Sequence, residues 1–344
     1  MKIKHILKED IDYESIVNNK YFRQHIMPNI NKDMEQGIDN FKELRDNNTE
    51  RHKDRRLIFT LAEEVFRESK NIIFHGSPHG HYETGKRYEL THRSGPRDSK
   101  EIVHNAVNDV AEDLLGENIR NLMFITKKIQ TASDYADKYS EIYIVLPIDK
   151  PTFYFSEVYE DFFVDYVHEG DALNELNDNV KNTLSFLVSD HESEIKSIVA
   201  DSDIDTWEFF KIVEYSIKQQ TQSDQRFILK YVRSFKFLEN SIDKLVEQIS
   251  DYLLFMLKKK DLTISSSQVD TLDKIVKEIL SNYIKNMETA IMQFAKDYVK
   301  TVKKSDNINE AGRDYEIMMD CDYFTVVTIN DFIKIVEYIV EKKA

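Results

Sequence analysis

The chain has 344 residues, enough for two folding units at the usual ~150 residues each. It carries 62 Asp+Glu against 47 Lys+Arg, a net charge of −15. Duplex DNA and anionic membrane surfaces both demand a cationic footprint, so this balance argues against either as the default partner. One cysteine, Cys321, excludes a disulfide framework and a cysteine-rich zinc site. The first residues lack an apolar core of signal-peptide length, and no window reaches the ~18 apolar residues of a spanning helix. A soluble protein of a reducing, cytoplasmic compartment is expected.

Residues 1–69 are expected to form a helical segment that ends in an amphipathic helix near 55–69, with Ile58, Leu61, Ala62, Val65 and Phe66 on one face. Five of the eight glycines and four of the five prolines then fall between residues 76 and 151, so this stretch is turn-rich and mixed. The apolar run Asn71-Ile-Ile-Phe-His75 reads as a buried strand that stops at Gly76-Ser77-Pro78. A loop rich in Gly, Arg and His follows, then a helix around 101–115. Asn121-Leu-Met-Phe-Ile-Thr126 reads as a second strand, Thr131–Tyr139 as a short helix, and Glu141–Ile148 as a third strand.

From Asp171 to Ala311 there is neither Gly nor Pro, and the composition is that of helices joined by polar turns. Trp207, Phe210, Val213 and Ile217 mark a first amphipathic piece. Ile228, Tyr231, Phe235, Leu238, Ile242, Leu245, Ile249, Tyr252 and Met256 step by three and four, a heptad seam. Lys258-Lys259-Lys260 sits where cations suit a helix C-terminus. Ser265-Ser266-Ser267 opens a second long helix, with Leu272, Ile275, Val276, Ile279, Tyr283, Ile284, Met287, Ile291, Phe294 and Tyr298 on one face. Its ~36 residues span roughly 54 Å, and the two long helices should form an antiparallel hairpin. Strand character returns at Tyr315–Met319 and Tyr323–Val327. Two strands alone are poorly stable, so these are expected to complete the earlier sheet. That makes an α+β core of residues 70–165 and 306–344, interrupted by a helical insertion at 171–304.

Three places could carry chemistry. His75-Gly76-Ser77 ends a strand, where a histidine can bond a ligand hydroxyl and a glycine admits close backbone approach. Phe124 and Tyr135, with Thr126 and Ala132 between them, could bring two aromatic faces around a planar ring; equally, both rings could belong to the core. Glu316 is a carboxylate inside an apolar strand, which is costly unless paired or used, or unless it points outward from an edge.

Taken in this order the three motifs resemble the catalytic core of the ADP-ribosyltransferases, in the His-Tyr-Glu branch of diphtheria toxin and the poly(ADP-ribose) polymerases. The resemblance rests on His75-Gly76, on Phe124, Thr126, Ala132 and Tyr135 at the family spacing, and on Tyr315-Glu316. It covers residues 70–155 and 312–330. It implies a split-sheet transferase core with a large all-α insertion, and NAD as substrate. It further implies that Gly76, Phe124 and Tyr135 hold the nicotinamide, with Thr126 in the same turn, that His75 bonds a ribose hydroxyl, that Ser77 assists the amide, and that the catalytic residues are Glu316, His75 and Tyr135. Arg97 or Arg93, in the loop Arg93-Ser-Gly-Pro-Arg97-Asp-Ser99, is assigned to the pyrophosphate. That loop is similar to ones in transferase-like proteins of bacteriophages, which would place the protein in a host cytoplasm or a virion.

The chain departs from the family pattern in two ways. Phe124 stands where the family usually has Tyr, and the helical insertion separates Tyr135 from Glu316, leaving Glu310 and Asp314 as reserve carboxylates. The expected acceptor of ADP-ribose is a macromolecule, more readily a protein than a nucleic acid, chosen by the insertion, which could also pair two copies of the chain. Two other readings compete. One is a non-catalytic virion or partner-binding protein on a degenerate transferase fold. The other is a metal hydrolase built on His75, His79, His81, Glu83, His92 and His104.

Overall fold

The computed structural model describes residues 13–30, 36, 38, 39, 72–77, 82–92, 101–136, 142–159, 182–222, 235–312 and 315–343. The fold is α+β, with two antiparallel four-stranded sheets and a set of helices, and the chain divides into two compact units. One unit comprises 1–93, 121–162 and 301–344, and the other 94–120 and 163–300.

Among the described residues eight strands occur, all in the first unit: β1 (Phe74–Gly76), β2 (Arg87–Glu89), β3 (Met123–Ile125), β4 (Ile142–Pro147), β5 (Thr152–Ser156), β6 (Val302–Ser305), β7 (Ile317–Asp320) and β8 (Tyr323–Thr328). One sheet has the order β1-β4-β8-β2 and the other β3-β7-β5-β6. β4, Ile-Tyr-Ile-Val-Leu-Pro, is buried at every position because it pairs on both sides, with β1 and β8. β5, Thr-Phe-Tyr-Phe-Ser, takes the equivalent place between β6 and β7. β6 is an edge strand, and its Lys303 and Lys304 are the exposed or half-exposed residues that keep such an edge from pairing further.

The chain passes between the sheets twice at the same end, from β4 to β5 and from β7 to β8. Asp149 staples the two crossings, its carboxylate accepting the backbone N–H groups of Asp322 (2.7 Å) and Tyr323 (3.0 Å). At the other end the sheets meet edge to edge. Phe74 of β1 and Thr126, just past β3, exchange two backbone hydrogen bonds of 2.7 and 2.9 Å. Helix α1 (Tyr13–Asn18), α3 (Ile129–Asp134) and α8 (Ile329–Lys343) cover the sheets, with Ile16, Phe22, Ile129, Phe332, Ile335 and Val336 in one core with the strands.

The second unit is helical: α2 (Glu101–Leu115), α4 (Glu192–Ser197), α5 (Thr206–Gln222), α6 (Phe235–Lys259) and α7 (Ser266–Val299), with further helix over 182–190. Its buried positions follow the expected α7 face, apart from Ile275, which is half-buried. Ser265 caps α7 in a reciprocal capping box with Gln268. α6 and α7 run antiparallel: Asp243 pairs with Lys277 (2.6 Å) while Ser250, about two turns along α6, bonds Asp273, earlier in α7.

Three sequence expectations shift here. The α6 face that is buried runs Ile242, Val246, Ile249, Leu253, Leu257, whereas Leu245, Tyr252 and Met256 of the expected seam are half-buried. A straight α-helix advances 3.6 residues per turn, and a seam drawn at 3.5 drifts off its face within a few turns. The seam's first members, 228–234, and the 55–69 helix lie outside the described residues. Trp207 is 52 % exposed rather than in the apolar stripe, while Phe210, Val213 and Ile217 are buried. Helix α2, expected within the mixed region, packs with α7 in the helical unit, and its Ile102, Ala106 and Val110 are buried.

Candidate functional site

The end of the split sheet where β1 meets β3 is built from short apolar strands that stop abruptly. The last residue of β1, Gly76, is glycine for a steric reason: a Cβ there would overlap the carbonyl oxygen of Ala132, and would lie 3.0 Å from that carbonyl carbon and 3.1 Å from Cβ of Tyr135. Only glycine lets β1 lie flat against the last turn of α3. That turn is closed by the Tyr135 N–H donating to the Ala132 carbonyl (3.3 Å), so the same oxygen fixes Tyr135 and faces Gly76.

His75, buried, sends its ring across the split. Its Nδ1 lies 2.8 Å from the Phe124 carbonyl. A carbonyl only accepts, so Nδ1 carries the proton, and in the neutral ring Nε2 is the acceptor. Tyr82 stands edge-on to His75 at 6.0 Å and is itself locked among Tyr88, Tyr143 and Phe324. Ser77 is buried at the end of β1. Thr126 is buried too, and its Oγ1 accepts the Lys128 N–H (3.1 Å), which turns the chain from β3 toward α3.

Glu316 enters from the third direction. It is buried and sits one residue before β7, which pairs with β3 as Ile125↔Ile317. Continued by one step, that register sets Glu316 opposite Thr126, the residue that bridges to Phe74. His75, Gly76, Ser77, Phe124, Thr126, Tyr135 and Glu316 thus belong to one end of the split sheet, with Phe124 and Tyr135 half-buried and the others, except Gly76's backbone contact, held by burial or hydrogen bonds. Glu316, expected inside a strand, precedes the β7 ladder by one residue.

Of the reserve carboxylates, Glu310 is exposed and paired with Lys303 (3.0 Å). Hydrogen bonding to Glu310, then to Glu157, holds the Lys303 ammonium above the ordinary lysine range. Asp314, Arg93 and Arg97 lie outside the described residues, as do His79 and His81. Among the described residues no group of three or more His, Cys, Asp or Glu gathers as a metal site, and no helix is long and apolar enough to cross a membrane.

Two residues that the sequence did not single out stand at this end: Tyr82, behind His75, and Lys127, buried between Thr126 and Lys128. Lys127 Nζ donates to the carbonyls of Ala311 (2.8 Å) and Ile308 (3.4 Å). No protein-family model, no curated protein and no solved structure matches the chain.

Proposed function

We propose that the first unit is an NAD-dependent ADP-ribosyltransferase whose site is the end of the split sheet where β1 meets β3. The observation that carries the reading is the contact of Gly76 with the Ala132–Tyr135 turn beside a register that sets Glu316 opposite Thr126. The motifs lie apart in sequence, at 75–77, 124–135 and 316, yet they fall at one end of the fold.

The chemistry follows from those groups. The Gly76 backbone and the Phe124 and Tyr135 rings would hold nicotinamide, a flat ring that suits a flat backbone and aromatic faces. Phenylalanine at 124 keeps the stacking face and forgoes a hydroxyl contact. His75 would accept a hydrogen bond from a ribose hydroxyl at Nε2, and Ser77 and Thr126 would line the amide end. The nicotinamide–ribose C–N bond breaks with its electron pair leaving on nicotinamide, and positive charge develops on the ribose. Glu316 would bond the ribose 2′-hydroxyl and stabilise that charge, as glycosidase carboxylates do. An acceptor nucleophile, or water, then forms the new bond to the same carbon and releases its proton. Arg93 or Arg97 is the proposed pyrophosphate partner. A protein acceptor selected by the helical unit fits the acidic charge balance.

The test is incubation with labelled NAD, with and without lysate, for wild type and Glu316→Gln. The expected result is nicotinamide release or label transfer that falls by about 10²–10³ in the variant. Absence of both turnover and NAD binding by calorimetry in the wild type overturns the reading. NAD binding without turnover in any lysate would favour the non-catalytic alternative.

A further inference from the structure

We propose that Lys127 is a positioning residue for Glu316, an inference that rests on the transferase reading. Residues 308–311 form a short 3-10 turn and its exit, outside both sheets. Within that turn the Ile308 carbonyl accepts the Ala311 N–H (3.2 Å). Lys127 adds a donor at the exit: its side chain is buried, and its ammonium donates to the Ala311 carbonyl at 2.8 Å and more weakly to that of Ile308 at 3.4 Å. Because Lys127 directly follows Thr126, the ammonium ties the end of β3 to the stretch that delivers Glu316, five residues after Ala311.

A second tie lies on the same stretch. The Tyr315 ring lies against Gly312 so closely that a Cβ at 312 would sit 2.9–3.0 Å from it, and the Tyr315 hydroxyl donates to the Glu157 carbonyl (3.4 Å). Glu316 is therefore held by the β7 ladder on its C-terminal side, and by Tyr315 and the Lys127 clamp on its N-terminal side. Losing the clamp leaves Tyr315 as the remaining tie described on that side. A carboxylate that must meet one hydroxyl in the transition state is sensitive to displacements of about 1 Å, which can lower a rate by up to ~10²-fold.

The experiment uses the full chain with Lys127→Met, and with Lys127→Gln, which keeps one amide donor, as a second variant. Three quantities are read: unfolding midpoint, NAD turnover, and amide hydrogen exchange over 306–317. For a folded Lys127→Met, exchange over 306–317 rises, and kcat falls at least tenfold with KM for NAD within threefold; Lys127→Gln falls between this and wild type. Normal kcat in a folded Lys127→Met, or a loss carried by KM, overturns the inference while wild-type activity leaves the transferase reading standing. Failure of both variants to fold also overturns it, since Lys127 would then serve stability. A wild type that neither binds nor cleaves NAD removes the transferase reading and this inference together, whatever the exchange shows.

Discussion

Gly76 and Ala132 are in contact that no other residue at position 76 can reproduce. The α-carbon of Gly76 faces the Ala132 carbonyl, and an added methyl overlaps that oxygen. The clash is with backbone, so it is not relieved by rotating a side chain. Gly76→Ala must push β1 away from α3, and overpacking of that kind costs about 1–3 kcal/mol. The expected outcome in urea unfolding is a lower midpoint with an unchanged slope. NAD binding should be lost even where most of the protein remains folded, because Tyr135 moves with the turn. Gly76→Ala with wild-type affinity would remove the nicotinamide site from this place.

His75 allows a sharper separation between folding and binding. Its Nδ1–H donates to the Phe124 carbonyl across the split. An asparagine amide can place a nitrogen near that position, whereas alanine removes the donor from a part-buried carbonyl, a loss of about 1 kcal/mol. His75→Asn should therefore unfold close to wild type and His75→Ala below it. Both lose the Nε2 acceptor, so both should bind NAD about tenfold more weakly. Equal stability of the two variants would show that the cross-split bond contributes little.

Much of this end of the fold was legible because its strands are apolar runs with abrupt ends: β1, β3, β4 and β8 fall within two or three residues of where the alternation and breakers put them. β2 is three residues, two of them exposed, and carries no pattern. β6 begins three residues after α7 ends, so its Val-Lys-Lys-Ser reads as a helix tail. β5 hides behind Pro151 as a short aromatic run. The sequence could order the motifs but not show the edge-to-edge bridge at Phe74 and Thr126, since strand partners are chosen by the whole core. Lys127 was invisible for a related reason: a lysine after a strand reads as surface, and only the tertiary path of 308–311 makes it a donor. Helix α2 was misplaced because chain proximity to strands says nothing about which apolar face its valines will meet.

The single tryptophan, Trp207, is a reporter of the helical unit. It is 52 % exposed in the first turn of α5, with the Lys196 ammonium 4.4 Å and the Lys211 ammonium 4.8 Å from its ring centre. Cations over an indole face are favourable at exposed sites by about 0.5–1 kcal/mol, and they leave the ring edge open to water. Native fluorescence should therefore be red-shifted and quenched by acrylamide nearly as readily as in the unfolded chain. A blue-shifted, protected emission would restore Trp207 to the apolar stripe that its spacing suggested. Replacing Lys196 and Lys211 together by Met should change the emission and lower the unfolding free energy by about 1–2 kcal/mol.

Cys321 links burial to pH. It lies between β7 and β8 at the crossing stapled by Asp149, and its thiol is pushed up to about 12, first by burial and then by the carboxylates of Asp149, Asp320 and Asp322. The thiolate is the nucleophile, so at pH 8 the native thiol should alkylate on the order of 10³-fold more slowly than in the unfolded chain. The same shift sets a sign for stability. Below about pH 8.5 both states keep the proton and the thiol contributes no pH dependence. Above it the unfolded chain ionises while the folded one does not, so stability falls as pH rises toward the folded value, by about 1.4 kcal/mol per unit. Between pH 8.5 and 10.5 wild type should lose about 2–3 kcal/mol more than Cys321→Ala in paired urea unfolding series. The two proteins differ at neutral pH by the packing of a small side chain, so the slope against pH, and not the offset, is the quantity to compare. Parallel slopes would mean that the thiol ionises as easily in the folded protein as in the open chain, and that the crossing between the sheets is wet.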